Sequence, residues 1–471
     1  MTNQVQHSPQ INSAFIWLIS LTAACGGLLF GYDWVVIGGA KPFYEVYFDV
    51  SSPALSGWLM SSALIGCIGG AMVAGVLADK LGRKYALIIS ALLFVISAAG
   101  TALADSITPF VLYRILGGIG IGIASTVSPM YISEVSPADR RGKLIAVNQL
   151  TIVIGVLAAQ IINLVIAEPV DGAIALDSWN VTEGWRYMFA AELIPAALFF
   201  VLMFLVPESP RWLVKMGRHA AAEQVLGKIG TGSYAATSLA EIEASFGTED
   251  KKFSLAELKS VKPLLIIGIV LASFQQWCGI NVIFNYAQEI FASAGFDVND
   301  TLKSIVATGI INLAFTILAL PMVEKMGRRT LMIIGSGGLG ILYLVISGMY
   351  HMGIDGLPLL VLVLCGIATY ALTLAPVTWV LLAEIFPNKL RSSAMSVCTL
   401  ALWLASFGLT FTFPFLIEAF DASGSFLFYA LICFVSFRFI WLYVPETKKL
   451  TLEQIEKNLA GDTLVRQNGK G

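Results

Sequence analysis

Charge is what this sequence has least of. Charged residues fill 13% of its 471 positions, and no Lys or Arg occurs before Lys41. Hydrophobic residues make up 57% and the mean hydropathy is +0.79. A soluble chain of this size could not hide so much apolar surface, so the composition specifies an all-α polytopic membrane protein in a lipid bilayer. A net charge of −2 lacks the basic footprint of a nucleic-acid binder. With no basic region ahead of it, the first apolar run is expected to remain as a span rather than be cleaved as a signal peptide. His7, His219 and His351 are too scattered to suggest a metal site. No nucleophile–base pair or metal cluster marks an enzyme, and no cofactor is expected. Cys25, Cys67, Cys278, Cys365, Cys398 and Cys433 all fall in apolar runs, where small packing residues are expected rather than disulfides or ligands.

What is present is a rhythm of runs about 20 residues long. They lie near 14–40, 54–78, 85–104, 108–133, 143–167, 185–206, 262–292, 302–324, 330–352, 357–383, 391–418 and 424–444, which predicts twelve transmembrane helices. Basic residues gather after every second run, as in Lys80-Leu-Gly-Arg83-Lys84, Arg140-Arg141 and Arg328-Arg329. The loop 168–184 holds only acidic charges, with Lys41 and Lys303 the main exceptions to the alternation. By the positive-inside rule both termini are cytoplasmic.

The long polar segment 208–261 interrupts the rhythm. Ser209-Pro210 fits a helix start, and 220–229 and 239–244 read as short amphipathic helices. Ser254 to Glu257 fits a capping box, and a further short helix is expected from Thr451. The expected organisation is a cytoplasmic N-terminus (1–13), a six-helix bundle (14–207), a cytoplasmic helical linker (208–261), a second six-helix bundle (262–445) and a cytoplasmic tail (446–471).

The halves repeat at offsets of roughly 240–250 residues. Asp79-x-x-Gly82-Arg83 matches Glu324-x-x-Gly327-Arg328, Glu134-x-x-Pro137-x-x-x-Arg141 matches Glu384-x-x-Pro387-x-x-x-Arg391, and Pro207-Glu208-Ser209 matches Pro445-Glu446-Thr447. Three matches in register indicate a parallel duplication of six spans, which places a substrate site between the halves near the midplane and moves solute by rocking them. The charged boxes, together with Arg211, then read either as a conformational switch at the cytoplasmic helix ends or as topology signals. Exposed pairs are worth about 0–1 kcal/mol each, so only a network could bias the two states.

Asp33, Arg114 and Glu192 sit at a similar depth inside three apolar runs of the first half. Ionised groups there are costly and are expected to compensate one another, either as a static pair or as a proton-coupling site. A second, uncharged cluster gathers amides: Gln275, Gln276, Asn281 and Asn285 in the seventh run, Asn312 in the eighth, Gln149 and Gln160 in the fifth. Gly279 offers a bend that would turn Gln275 and Asn281 towards one cavity, and Trp379 adds an apolar face. Such a lining suits a neutral polyol, and equally suits interhelical hydrogen bonding. The Gly335-x-Gly-x-x-Gly340 run lacks a βαβ context and reads as close helix packing.

Taken together, several stretches resemble the sugar porter family of the major facilitator superfamily, most closely its bacterial D-xylose–proton symporters. They are Gly27-Leu-Leu-Phe-Gly-Tyr-Asp33, Tyr113-Arg114, Pro129-Met-Tyr-Ile-Ser-Glu134, Pro207-Glu-Ser-Pro-Arg211, Gln275-Gln276-x-x-Gly-Ile-Asn281, Trp379 to Pro387 and Pro445-Glu-Thr-Lys448. The resemblance spans nearly the whole chain and implies the major facilitator fold. It implies a monosaccharide site formed by Gln149, Gln275, Gln276, Asn281, Asn312 and Trp379, with Phe30 nearby. It further implies that Asp33 beside Arg114 takes the proton with help from Glu192. The expected protein is a monomer in a bacterial inner membrane. Three positions depart from the symporter pattern: Leu402 stands where an amide is expected, Asn285 for a Tyr and Ala375 for a Gly. They leave the sugar open among D-xylose, L-arabinose, D-glucose, D-galactose and inositol.

Overall fold

The structure, a computed structural model, describes residues 11–137, 139–172, 174–231, 233–246, 261–386 and 390–447. The helices predicted at 254–257 and 451–454, and the side chains of Glu324 and Arg391, lie outside the described residues. Among the described residues the elements are helical, save one isolated bridge between Ile11 and Gly230.

The first five spans are α1 (Ser13–Tyr47), α2 (Pro53–Leu81), α3 (Arg83–Ala102), α4 (Ile107–Val135) and α5 (Arg141–Ile166). The sixth is a π-turn at Asn180–Gly184 followed by α6 (Trp185–Ala190) and α7 (Leu193–Leu205). The linker forms α8 (Pro210–Lys215), α9 (His219–Ile229) and α10 (Ser233–Phe246). The Ser209 hydroxyl caps α8 by accepting from the Trp212 amide at 3.3 Å, as the Ser-Pro start predicts.

The second half comprises α11 (Lys262–Trp277), α12 (Ile280–Asn285), α13 (Ala287–Ser293), α14 (Val298–Met326), α15 (Arg328–His351), α16 (Leu357–Leu372), α17 (Leu374–Ile385) and α18 (Arg391–Tyr443). At 1.5 Å per residue, the 53 residues of α18 are far too long for one crossing, and Asp421 breaks the helix with φ 55° and ψ −175°. Counting α18 as two, the eleven long apolar helices among the described residues supply the twelve predicted spans. Val165, Ile194 and Leu205 are each 76% exposed, as lipid-facing side chains must be.

Three spans depart from plain rods. The run predicted to end at residue 40 continues to Tyr47, because the charge of Lys41 is paired within the protein. The tenth run divides at Thr373, where Pro376 cannot donate to the carbonyl of Leu372. The seventh divides at Gly279, which adopts φ +85°, a conformation any side chain would strain.

The chain gathers into two compact units. Among the described residues, one comprises those within 11–34, 65–156 and 189–246; the other comprises those within 35–64, 157–188 and 261–447. The first is cored by Phe94, Phe110 and Phe199, and its linker helices bury Trp212, Leu213 and Leu226. There the segment before α1 docks on the linker, the Asn12 amide donating to the Ile229 carbonyl at 2.8 Å. The second unit buries Tyr286, Phe291, Tyr343 and Ile346.

Candidate coupling and substrate sites

In the first unit Asp33 on α1 and Arg114 on α4 are 1% and 2% exposed. One guanidinium nitrogen pairs with Asp33 Oδ1, and the other donates to the Asp33 backbone carbonyl at 3.1 Å. The guanidinium also lies 5.5 Å from the centre of the Phe189 ring. Glu192, 1% exposed at the break between α6 and α7, is within electrostatic reach of both. Asp33 Oδ2 and Glu192 Oε1 make no hydrogen bond. Two buried acids face one fixed cation. The guanidinium balances one carboxylate, and a single proton balances the other, so the site is neutral only when it holds one proton.

The amides of the second unit form a chain. Asn281 donates to Gln276, Gln276 donates to Gln275, and Gln275 donates to the Tyr370 hydroxyl at 2.7 Å. The Gly279 break allows this. It ends α11 just after the two glutamines and restarts the helix as α12, so that Asn281 reaches back to Gln276. Tyr370 was not among the predicted site residues, and nothing in its local sequence distinguishes it from a packing tyrosine. Asn312 is buried on α14 and Trp379 half-buried on α17. Leu402 and Asn285 are buried as well, and Ala375 is half-buried. In the first unit, Phe30 and Gln149 are half-buried, and Phe30 packs edge-on against Trp34 at 6.0 Å. Gln160 serves as helix glue: its amide donates to Thr308 at 3.2 Å.

The charged boxes are bonded within their own units and repeat each other's chemistry. Arg83 grips Glu134 with two bonds of 2.9 Å and reaches Asp79 at 3.2 Å. Arg328 reaches Glu384 at 2.9 Å. Ser209 donates to Glu134 in one half, and Thr447 donates to Glu384 at 2.5 Å in the other. Glu208 is a helix cap, accepting from the amides of Arg83 at 3.0 Å and Lys84 at 3.2 Å at the start of α3. Glu446 does the same for α15 through Arg328 at 3.0 Å. The preceding residues are Gly82 and Gly327, where an added Cβ would lie 2.1 Å and 2.6 Å from the capping carboxylate. Arg141 is exposed and Arg211 half-buried.

Burial pushes the Glu208 carboxyl above its ordinary value, against the pull of the amides it caps. A raised folded value means that the native protein holds this proton more tightly than the unfolded chain. Its contribution is therefore full at acid pH and is lost as pH rises through the folded value. The melting temperature difference between the native chain and Glu208→Gln should accordingly shift against the native chain as pH rises from about 4 to about 7. A thermal-shift series in detergent reads this directly, and a constant difference would refute it.

One cluster was missed in the sequence. Lys41 donates to Glu45 at 2.9 Å and to Glu289, and its ammonium lies 5.5 Å from the centre of the Tyr286 ring. The signal was there, since Lys41 broke the charge alternation. Lys303, the other exception, makes an exposed pair with Asp300 at 2.9 Å. Among the described residues no group of His, Cys, Asp and Glu could hold a metal. Four of the six free cysteines are buried, while Cys25 is half-buried and Cys365 is exposed, against the expectation that all pack inside.

Twelve spans with an internal duplication, a buried ion pair and a polar amide chain define a multi-pass secondary transporter rather than an enzyme. The profile of the Sugar (and other) transporter family matches residues 19–459, and the chain belongs to that family. It is 39% identical over 478 residues to the D-xylose-proton symporter of Escherichia coli strain K12, covering 95% of this chain and 96% of the relative. It is 37% identical over 446 residues to the arabinose-proton symporter of Bacillus subtilis, covering 94% and 95%. The Escherichia coli xylose transporter XylE, in a partially occluded inward-open conformation, superposes with a TM-score of 0.83 at 38% identity, over 93% of this chain and all 100% of that one. The fold is that of the major facilitator transporters.

Proposed function

We propose that this chain carries a monosaccharide together with a proton into a bacterial cell by alternating access, with D-xylose the first candidate. The observation that carries this is the buried Asp33–Arg114 pair with Glu192 beside it, a site that is neutral only with one proton bound. The sugar is held by the chain Asn281–Gln276–Gln275, with Asn312, Trp379, Phe30 and Gln149 completing the site. Sugar hydroxyls each offer one donor and two acceptors, which amides match on both counts. Arg83, Asp79, Glu134, Arg141, Glu208 and Arg211, with their counterparts Glu324, Arg328, Glu384, Arg391 and Glu446, act as the conformational switch. Both termini face the cytoplasm, the protein works as a monomer in the inner membrane, and the proton gradient drives it without a cofactor.

The test is external pH in a weakly buffered, de-energised suspension of cells expressing the chain. D-xylose, L-arabinose, D-glucose and D-galactose are added in turn. Alkalinisation with one of them establishes symport and names the substrate. Entry of labelled sugar with no pH change makes the protein a facilitator, and its ion pair structural.

A further inference from the structure

We propose that Lys41, Glu45 and Glu289 form a latch, holding the segment after the Gly279 break against α1 and releasing it when the carrier opens on the side opposite the termini. The inference rests on the alternating-access reading above. All the groups involved belong to one compact unit. Lys41 is 4% exposed, and Glu289 is a half-buried residue on the short helix α13.

The two carboxylates are held unequally. Glu45 lies one turn beyond Lys41 on α1, and its other oxygen accepts from Ser56 of α2 at 2.6 Å. Glu289 bonds to Lys41 through Oε1, while its Oε2 is buried with no hydrogen bond. When α13 leaves α1, the cation keeps Glu45 and is never stranded, and Glu289 carries its charge into water. Buried ion pairs add little to stability over apolar packing, and their best-attested use is to set a register or a switch. A seam made of charge parts more readily into water than an apolar one, because both sides regain hydration.

The backbone is built to allow the motion. The pieces α12 and α13 are six and seven residues long, bounded by Gly279 at φ +85° and by Tyr286 at φ −119°, ψ 29°. Gly38, Lys41 and Glu45 share one face of α1. At Gly38 an added Cβ would sit 2.9 Å from the Phe284 carbonyl oxygen and 3.1 Å from that of Asn285, so the two backbones touch where the latch begins. One face of α1 thus offers contact without a side chain at one level and a cation at the next.

The experiment measures a distance by pulsed electron spin resonance on the purified full chain in nanodiscs, without sugar. Nitroxides are placed at Ser51→Cys, in the turn after α1, and Ser293→Cys, at the end of α13, both exposed positions. Cys25 and Cys365, the two cysteines that are not buried, are replaced by Ser. The native chain should give a short distance. Lys41→Gln should raise the long-distance fraction at least threefold. The reversal Lys41→Glu with Glu289→Lys keeps one cation and two acids, and should restore the native distribution. If Lys41→Gln is not monodisperse, Glu289→Gln, which leaves Lys41 on Glu45, carries the same expectation. A single variant with native distances, or a reversal as spread as the single variant, overturns the latch. Because no sugar is needed, a chain that opens on Lys41→Gln yet takes up no sugar overturns the transport reading alone, and one that transports without responding overturns the latch alone.

Discussion

Asp33→Asn should lose concentrative uptake while keeping sugar exchange. The amide keeps the shape of the carboxylate and can still accept from Arg114 through its oxygen, but it cannot take up or release a proton. One proton moving through 100 mV supplies about 2.3 kcal/mol, which sustains roughly a 50-fold concentration ratio of a neutral solute before any pH gradient is added. The variant's accumulation ratio should fall from that order towards one. Labelled sugar in energised vesicles measures it, and equilibrium exchange in de-energised vesicles shows that the carrier still turns. A variant that still concentrates sugar would leave Asp33 a structural residue. Asp33, not Arg114, is the position to change. With Asp33 neutral, Arg114 still has the Glu192 carboxylate within electrostatic reach. Removing Arg114 would strand two buried acids at about 3–5 kcal/mol and confuse folding with coupling.

Gln276→Ala should weaken sugar binding at least 30-fold without preventing insertion. Gln276 is the middle of the amide chain, accepting from Asn281 and donating to Gln275. Its loss removes hydroxyl contacts worth about 0.5–1.5 kcal/mol each and leaves its two neighbours misaligned or unpaired. Together these amount to roughly 2–3 kcal/mol, or about 30–150-fold in Kd. Titration calorimetry on the purified variant reads the affinity, and size-exclusion behaviour reports the fold. An unchanged Kd would return these glutamines to interhelical packing, where the apolar environment makes such bonds useful in their own right.

Much of the molecule was legible beforehand because a bilayer leaves few choices. Runs of apolar residues must become helices, so the spans could be read along the chain, while the Ser209-Pro210 start, amphipathic spacing and a lone glycine marked the linker helices and the bend at Gly279. The pairing of Asp33 with Arg114 followed from cost: an unpaired ion at that depth is untenable, and few partners of the opposite sign were available. The roles of Glu208 and Glu446 were less visible. Their motif suggests a switch, and their geometry adds what the motif did not show: they cap α3 and α15, seated in the space left by Gly82 and Gly327.

The sequence alone thus determined the membrane class, the duplication and which residue types had to be buried together, since these follow from hydropathy, charge and spacing. Only the tertiary structure decided which buried groups touch. The Gln275–Tyr370 bond spans 95 residues and the Lys41–Glu289 pair spans 248. No local periodicity encodes such contacts, because they depend on how helices far apart in the chain pack side by side. Lys41 shows the difference: in the sequence it marks the end of a membrane span, and in the fold it is a buried cation one turn before Glu45, with the helix running on past it to Tyr47.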